Sequence, residues 1–352
     1  MDDLKKVLRP GRIVYPVLIG VGVASWMLYK NFDKDAFSFF EWSWAAAAGL
    51  IAAMLMMVLR DLAYMYRIRI LTNNELSWKQ AFEVIMLWEF SSAVSPSIVG
   101  GTGPAIFFLY KEGINTGKST AVILTAIFLD EVFFILMVPI LYLLFGNMVF
   151  PPDEAVFSGG IRAALMIGYG IIFLYTLLLT YTLFVNPYFF KWLLSFVFLF
   201  PLLRRWRTRM RKLANQLIIT SNELKGKSLT YWTKAFFATF LSWTGRYWVV
   251  NFMFMAFFMK HLSLSDHFLI YARQLTMWII LLVSPTPGGS GVAEIIFSDF
   301  LGDLLPNAVW AIPLALLWRL LSYYPYLFIG AIVLPGWVKR VYKEKPVYKK
   351  ID

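Results

Sequence analysis

Two short segments rich in proline and glycine interrupt the hydrophobic sequence of this chain, and they limit its fold more than any other feature. The first, residues 95–103, reads SPSIVGGTG, and the second, residues 284–291, reads SPTPGGSG. Each follows one apolar run and precedes another. Inside a bilayer, backbone groups freed by such a break must face protein or a polar cavity, because lipid cannot hydrogen-bond to them. Paired breaks in two halves of a membrane chain therefore point to the binding site of a transporter.

The composition indicates an integral membrane protein. Of the 352 residues, 59% are hydrophobic and 18% aromatic, and the mean hydropathy is +0.64, whereas soluble domains are roughly half apolar. The chain has no cysteine and two histidines, so thiolate chemistry is excluded and neither a metal nor another cofactor is expected. In a membrane protein, the net charge of +12 reflects orientation and anionic lipid headgroups. We therefore expect the membrane as a partner and no nucleic acid.

Six segments are apolar over a length that can cross a bilayer, since a span needs about 20 mainly apolar residues. They cover about 13–30, 43–66, 117–145, 160–185, 229–259 and 306–334. Two further stretches, 77–113 and 265–301, each contain an apolar helix, the break and a shorter helix. The shorter helix is too short to cross, which predicts two re-entrant hairpins; in the alternative interpretation the first arm is a full span. The predicted fold class is an all-α polytopic membrane protein, with residues 1–352 as a single transmembrane domain.

The distribution of lysine and arginine sets the predicted orientation. Basic residues collect in a linker at about 186–228 and in the tail at 338–352, so both are expected in the cytoplasm. With six spans, the N-terminus is cytoplasmic as well, and we expect a multi-pass protein of the inner (plasma) membrane. Repeat 1, about 43–145, and repeat 2, about 229–334, then cross the membrane in opposite directions. This pattern predicts an inverted repeat with alternating access.

The two breaks are predicted to bind a ligand. Glycine permits positive φ angles and close approach of the backbone, and the next helix is expected to begin near Pro104 and near Val292. The free N–H groups and positive end of that helix would face an anion. The alternative is a tight turn in which hydroxyl groups cap the helices. The candidate substrate-binding residues of the breaks are Ser95, Gly100, Gly101, Thr102, Gly103, Ser284, Gly288, Gly289, Ser290 and Gly291.

Ionisable residues inside spans are functional candidates because each costs about 2.5–3.5 kcal/mol to insert. Asp130 lies 27 residues after Gly103. Arg319 lies 28 residues after Gly291, so an acid and a base fall at nearly equivalent points and are expected to pair across the interface. The alternative is that such pairs only hold the bundle together. The candidates are Arg246, Arg273 and Arg319 for binding a phosphate, and Glu89, Asp130, Glu131 and Glu294 for charge pairing or proton coupling.

The segments SPSIVGGTG and SPTPGGSGVAE, with the apolar layout from about 10 to 340, resemble the lysylphosphatidylglycerol synthase transmembrane domain family. The likeness is to the stand-alone, flippase-like form without the aminoacyl-transferase domain. The second segment matches the family pattern more closely, and Glu294 has no counterpart in the first. The resemblance implies that the protein translocates an anionic phospholipid or lipid-linked intermediate between leaflets and is not an enzyme.

Two other functions stay open at this point. A membrane-embedded glycosyl- or lipid-modifying transferase would need an exposed carboxylate pair near a metal. An accessory subunit of a lipid or cell-envelope pathway would tolerate neutral replacement of its buried charges. Self-association into a homo-oligomer also stays open.

Overall fold

A computed structural model describes residues 43–95, 101–152, 158–197, 221–258, 262–282 and 291–343, with isolated positions 29, 215, 218, 286 and 289. The predicted span at 13–30, apart from Tyr29, lies outside the described residues. So do most of the basic linker beyond 197 and the tail beyond 343. Four predicted site residues also lie outside them: Gly100, Ser284, Gly288 and Ser290.

The described residues form helices and connecting turns, with no strand among them. The main helices are α1 Trp44–Leu71, α2 Trp78–Val94, α3 Thr102–Lys111, α4 Thr116–Phe145, α5 Ser158–Thr180, α6 Pro187–Val197, α7 Leu229–Phe258, α8 Leu264–Leu281, α9 Val292–Leu301, α10 Ala311–Ser322 and α11 Tyr324–Lys343. A 3₁₀ turn, Gly146–Val149, follows α4, and a π-helical turn, Tyr181–Val185, continues α5. Two further 3₁₀ turns, Gly302–Leu304 and Ala308–Trp310, connect α9 to α10.

Four segments of the described chain are long and apolar enough to cross a membrane. They are Trp44–Leu71, Thr116–Val149, Arg162–Val185 and Ala311–Tyr342, and they correspond to four of the six predicted spans. The predicted span at 229–259 forms α7 but is not among the four. Polar residues such as Lys234, Arg246 and Asn251 make α7 less apolar. The all-helical membrane fold is thus confirmed, and the count of six spans stays a prediction.

The last predicted span, 306–334, differs from the structure in its bounds and its continuity. The chain from 306 to 310 is a loop with a 3₁₀ turn, and the helix breaks at Tyr323, whose φ and ψ are −124° and −56°. Pro325 has no N–H to donate to Leu321, so a continuous helix would lose that hydrogen bond, whereas proline is tolerated in the first turn of a new helix. The helix therefore restarts as α11 and extends to Lys343.

The arms α2 and α8, which precede the two breaks, begin with the same capping arrangement. Ser77 accepts a hydrogen bond from the Gln80 N–H, and the Gln80 side chain accepts one from the Ser77 N–H. Ser263 and Asp266 exchange the equivalent bonds at the start of α8. Such boxes satisfy N–H groups that the first helical turn leaves free, so both arms have well-defined starting points.

Helices α1 and α7 run antiparallel and pack together along their length. Gly49, early in α1, lies against Ala256, late in α7, and Gly245 lies against the main chain of Met56. A Cβ atom on Gly49 would lie 2.7 Å from the Cβ of Ala256, so no larger side chain fits there. Small residues of this kind let helix backbones approach closely inside membranes.

The two halves of the chain make matching contacts. In the first half α1 packs against α2 and α4, and in the second half α7 packs against α8 and α10. We call α2, α3 and their break the first hairpin, and α8, α9 and their break the second hairpin. The first hairpin packs against α11, from the second half, and the second hairpin packs against α4, from the first half. Each hairpin is therefore held by a long helix of the opposite half.

A polar cluster, which we call the Arg340 clamp, ties the first hairpin to α11. Arg340 donates to the two carboxylate oxygens of Glu112 at 2.5 and 3.1 Å and forms an ion pair with Glu83. The indole of Trp337 donates to Glu112 at 2.6 Å. Because Glu83 lies on α2 and Glu112 follows α3, the clamp joins both arms of the hairpin at its open end.

Candidate functional site

A cavity of about 340 Å³ lies between the two halves and is lined by residues of α1, α2, α4, α7, α8, α10 and α11. Its volume is in the range of small-molecule sites, about 300–1,000 Å³. Aromatic side chains form much of the wall: Trp88, Trp243, Trp278 and Trp318, with Tyr64, Tyr247, Tyr323 and Tyr326. The charged lining residues are Arg67, Glu89, Asp130, Arg246 and Arg319. The cavity thus collects four of the seven ionisable candidates that the sequence predicted.

Asp130 pairs with Arg67 of α1. The guanidinium contacts the two carboxylate oxygens at 2.5 and 3.4 Å, and the Trp243 indole donates to Asp130 at 2.7 Å. The predicted pair between Asp130 and Arg319 is wrong, because α1 lies beside α4 and brings Arg67 to the carboxylate. Arg67 is buried and also donates to Thr239 of α7 at 3.1 Å, so one arginine connects three helices.

Arg319 instead pairs with Glu294, the first acidic residue of α9. The Nε of Arg319 and an oxygen of Glu294 are 3.3 Å apart, and both side chains are buried. The other oxygen of Glu294 accepts the Gly291 N–H at 2.7 Å. The start of α9 was predicted to hold an anion from the substrate, and in this structure the chain's own carboxylate occupies it.

A third arginine, Arg60, is fully buried and is not a lining residue of the cavity. It pairs with Glu89 at 2.5 Å and with Asp61 at 2.9 Å, and its guanidinium lies 4.8 Å from the ring centroids of Tyr64 and Tyr326. Arg60, Asp61 and Arg67 were not among the predicted site residues. The signal was present: positions 60, 64 and 67 follow the i, i+4, i+7 spacing that places residues on one helix face.

Arg246 has no such partner. It lines the cavity from α7, and within the described part of the chain no carboxylate pairs with it and no hydrogen bond engages it. Its guanidinium carbon lies 5.6 Å from the centroid of the Trp243 ring. Arg246 therefore presents a positive charge to the cavity, unlike Arg67 and Arg319.

Two residues of the wall each carry a neutral polar atom that has almost no accessible surface and no hydrogen-bond partner among the described residues. These atoms are the hydroxyl oxygen of Tyr247 and the amide oxygen of Gln274, and these residues are only 5% and 3% exposed. The Gln274 amide nitrogen, by contrast, donates to the carbonyls of Tyr247 and Ile270 at 3.0 and 3.2 Å. Nothing in the sequence distinguishes these two residues from other neutral residues of apolar helices.

The glycines of the first break differ from one another. A Cβ atom on Gly101 would lie 2.2 Å from the Ser92 hydroxyl and 2.7 Å from the Trp88 ring, and Ser92 and Trp88 both line the cavity. The φ of Gly101 is −88°, so close approach and not a left-handed backbone requires glycine there. Gly103 has open space around it.

Helix α3 begins at Thr102, two residues before the predicted start near Pro104, and its N-cap is Gly101 without any side-chain hydrogen bond. Thr102 therefore does not cap the helix as the alternative interpretation expected. Ser95 is the C-cap residue of α2, with an extended backbone, and it is not a lining residue of the cavity.

In the second break, Gly289 and Gly291 have φ angles of +70° and +85°. Other residues rarely adopt this region, so glycine is required there for its backbone conformation. Gly289 lines the cavity, whereas Gly291 is the residue that precedes α9. The predicted role of glycine thus divides into close approach at Gly101 and positive φ at Gly289 and Gly291.

Arg273 and Glu131 do not line the cavity. Arg273 donates to the main-chain carbonyls of Met148 and Phe300, both at 2.8 Å, and forms an ion pair with Asp303. We call this cluster the Arg273 clamp, because it ties the second hairpin to the chain that follows α4. One oxygen of Glu131 is buried without a hydrogen-bond partner among the described residues.

The fold and the site define the class of the protein: a helical membrane protein with an internal cavity that is lined by aromatic and charged side chains. Within the described residues, no group of three or more histidine or acidic side chains could hold a metal ion. The chain belongs to the family described as the lysylphosphatidylglycerol synthase TM region, whose family model matches residues 13–330. The resemblance seen in the sequence is therefore confirmed.

A protein similar to this chain is the UPF0104 membrane protein of Archaeoglobus fulgidus. The two are 26% identical over 331 residues, which covers 90% of this chain and 94% of the relative. No solved structure matches the chain.

Proposed function

We propose that the protein moves an anionic phospholipid or lipid-linked intermediate between the membrane leaflets and binds its headgroup in the central cavity. The observation that carries the proposal is Arg246, the lining arginine without an acidic partner among the described residues. An arginine in a membrane segment is costly unless something pairs with it. A guanidinium binds phosphate through two parallel hydrogen bonds, so an anionic headgroup would supply the partner that the described part of the chain does not.

The walls of the cavity support the same proposal. Arg67 and Arg319 are matched by Asp130 and Glu294, and Arg60 is matched by Glu89 and Asp61. Among the described residues, Arg246 is therefore the arginine of this site that a headgroup phosphate can meet without displacing a carboxylate. The lipid tails would stay in the bilayer while the aromatic and polar walls surround the headgroup. On this proposal the protein is a transporter and forms no covalent bond with its substrate.

We further propose that the two halves form an inverted repeat with re-entrant hairpins. The antiparallel packing of α1 and α7 and the matching contacts of the two halves support it. The short arms α3 and α9 have 10 residues each, so each is about 15 Å long, about half of the 30 Å hydrocarbon core. Rocking of one half against the other would then expose the cavity to each side in turn.

The topology can be tested with single cysteines, because the chain contains none. Lys79, Asn115 and Asn307 are exposed positions at the ends of the hairpins. Re-entry of the first hairpin predicts that cysteines at 79 and 115 react with an impermeant reagent from the cytoplasmic side. The inverted repeat predicts that a cysteine at 307 reacts from the outside. Labelling of 79 and 307 from the same side would contradict the inverted repeat.

The function can be tested in proteoliposomes that contain tail-labelled fluorescent phosphatidylglycerol, with dithionite added outside to bleach the outer leaflet. We expect Arg246→Gln to slow translocation by about 10-fold or more, because a hydrogen bond to a charged group contributes about 1.5–3 kcal/mol and 1.4 kcal/mol is tenfold. Arg162→Gln is the matched control, since Arg162 is exposed and lies outside the cavity. Equal translocation by wild type and Arg246→Gln would contradict the proposal.

A further inference from the structure

We infer that the protein binds one proton together with each anionic headgroup, and that the carboxylate pair Asp61 and Glu89 holds this proton. The inference rests on the function proposed above and goes beyond it by naming the ion that accompanies the substrate. Transport coupled in this way carries no net charge across the membrane.

The charges of the site are balanced before a substrate binds, when every group is ionised. Among the described residues, the arginines of the site and the carboxylates that pair with them are equal in number. The arginines are Arg60, Arg67, Arg246 and Arg319, and the carboxylates are Asp61, Glu89, Asp130 and Glu294. In the same part of the chain Glu131 pairs with none of these arginines, and it could only add negative charge. An anionic headgroup at Arg246 therefore leaves the site with an excess of negative charge.

The excess falls on the carboxylates around Arg60. This buried arginine pairs with both Asp61 and Glu89, whereas the other two paired arginines each hold one carboxylate. One guanidinium compensates one carboxylate, so the second is balanced by Arg246, which lines the same cavity as Glu89. A headgroup phosphate on Arg246 removes that compensation. Because an uncompensated charge in a buried site is costly, a proton on the carboxylate pair restores the balance.

A proton can reach the pair from the cavity. Glu89 lines the cavity and its side chain is 23% exposed, while that of Asp61 is 20% exposed. The two carboxylates are coupled through Arg60, so the proton belongs to the pair and not to one residue. The sequence predicted four carboxylates for charge pairing or proton coupling, and among them Glu89 is the one that shares its arginine with a second carboxylate.

The neighbours of the pair suit a proton and not a metal ion. The titratable and charged groups that face it are Arg60 and Tyr64 from α1 and Tyr326 from α11. The Tyr326 hydroxyl donates to the two oxygens of Asp61 at 2.8 and 3.0 Å. The other charged residues of the cavity wall are Arg67, Asp130, Arg246 and Arg319. A hard metal cation requires more oxygen ligands than two carboxylates, and no third acidic side chain joins this group in the described chain.

Binding of the headgroup and binding of the proton must favour each other by the same factor. A phosphodiester keeps its negative charge from acid to alkaline pH, so a pH dependence of transport reports a group of the protein. We expect translocation by wild type to slow as the pH rises, by up to about 10-fold per pH unit, which is the limit for one proton. A membrane potential should leave the rate unchanged, because the proton cancels the charge of the headgroup.

The test uses proteoliposomes that contain short-chain fluorescent phosphatidylglycerol, with albumin added outside to extract this lipid from the outer leaflet at each pH. Glu89→Gln and Asp61→Asn each leave Arg60 with one carboxylate. In both variants translocation should no longer depend on pH and should respond to a membrane potential set with potassium and valinomycin. Glu75→Gln is the matched control, since Glu75 is 51% exposed and pairs with Lys118 away from the cavity. It should keep the behaviour of wild type.

Each outcome separates the inference from the function on which it rests. Wild-type translocation that is equal at every pH overturns proton coupling and leaves the proposed function standing. A dependence on sodium in place of pH overturns the proton in favour of a metal cation. If both variants keep the pH dependence of wild type, the assignment to Asp61 and Glu89 is overturned. A wild-type protein that translocates no lipid overturns the proposed function, and this inference fails with it.

Discussion

Removal of one member of the Arg67–Asp130 pair is expected to destabilise the protein much more than neutralisation of both. Asp130 accepts two contacts from Arg67 and one from the Trp243 indole. The side chain of Arg67 is 3% exposed and that of Asp130 is 16% exposed. Arg67→Met would remove both arginine contacts of Asp130 and leave its carboxylate with the Trp243 indole. We expect this loss to lower the free energy of unfolding by about 3–5 kcal/mol. Asp130→Asn would leave a buried guanidinium with the Thr239 hydroxyl and is expected to cost a similar amount.

In the double variant Arg67→Met/Asp130→Asn no unpaired charge of this pair remains. Its loss of unfolding free energy should therefore be well below the sum of the losses in the two single variants. We expect a coupling energy of about 2–4 kcal/mol from the buried location of the pair. The free energy of unfolding can be measured by titration with sodium dodecyl sulfate in mixed micelles and followed through the 14 tryptophans.

The Lys118–Glu75 pair is the control for this cycle. Glu75 is 51% exposed, and exposed ion pairs contribute about 0.2–1 kcal/mol. If the Arg67 and Asp130 substitutions are additive within about 0.5 kcal/mol, the pair contributes no interaction energy and the reasoning is refuted.

Four substitutions of glycine give further expected outcomes. Gly101→Ala should displace the cavity wall and lower lipid binding, while Gly103→Ala, which points into open space, should leave binding unchanged; a comparison by native mass spectrometry checks both. Gly289→Ala should destabilise the protein by about 1–2 kcal/mol, because its φ of +70° is strained for alanine, and an unchanged unfolding midpoint would contradict this. Gly330→Ala should destabilise by about 1–3 kcal/mol through overpacking, since the new Cβ would lie 2.3 Å from that of Phe90; a gain in stability would count against this close packing of α11 on α2.

The membrane class, most helices and the two breaks were predictable because they depend on local sequence. Apolar runs of sufficient length predict spans, and the proline and glycine clusters predict where helices stop. The interaction of Glu294 with its own helix start is also local, since an acidic side chain three residues into a helix reaches back to the free N–H. Gly291 and Glu294 are 3 residues apart, so this contact could have been predicted from the sequence.

The remaining features of the site depend on which helices become neighbours. Asp130 and Arg67 are 63 residues apart, and Asp130 could pair with any arginine that the fold brings close. The near-equal spacing of Asp130 and Arg319 from the two breaks suggested a partner, but spacing along the chain does not determine the distance in space. Tyr247 and Gln274 carry no charge, and only three-dimensional packing reveals that a polar atom of each is buried without a hydrogen-bond partner among the described residues.

The two clamps differ in a way that affects how this protein can change by mutation. The Arg340 clamp uses the side chains of Glu83 and Glu112 as acceptors, and a single codon change removes either one. The Arg273 clamp uses the carbonyls of Met148 and Phe300, which every amino acid carries. A genetic selection for loosened variants should therefore recover several positions around Arg340. At the Arg273 clamp it should recover Arg273 itself and Asp303. Fewer single substitutions can therefore loosen that end of the molecule.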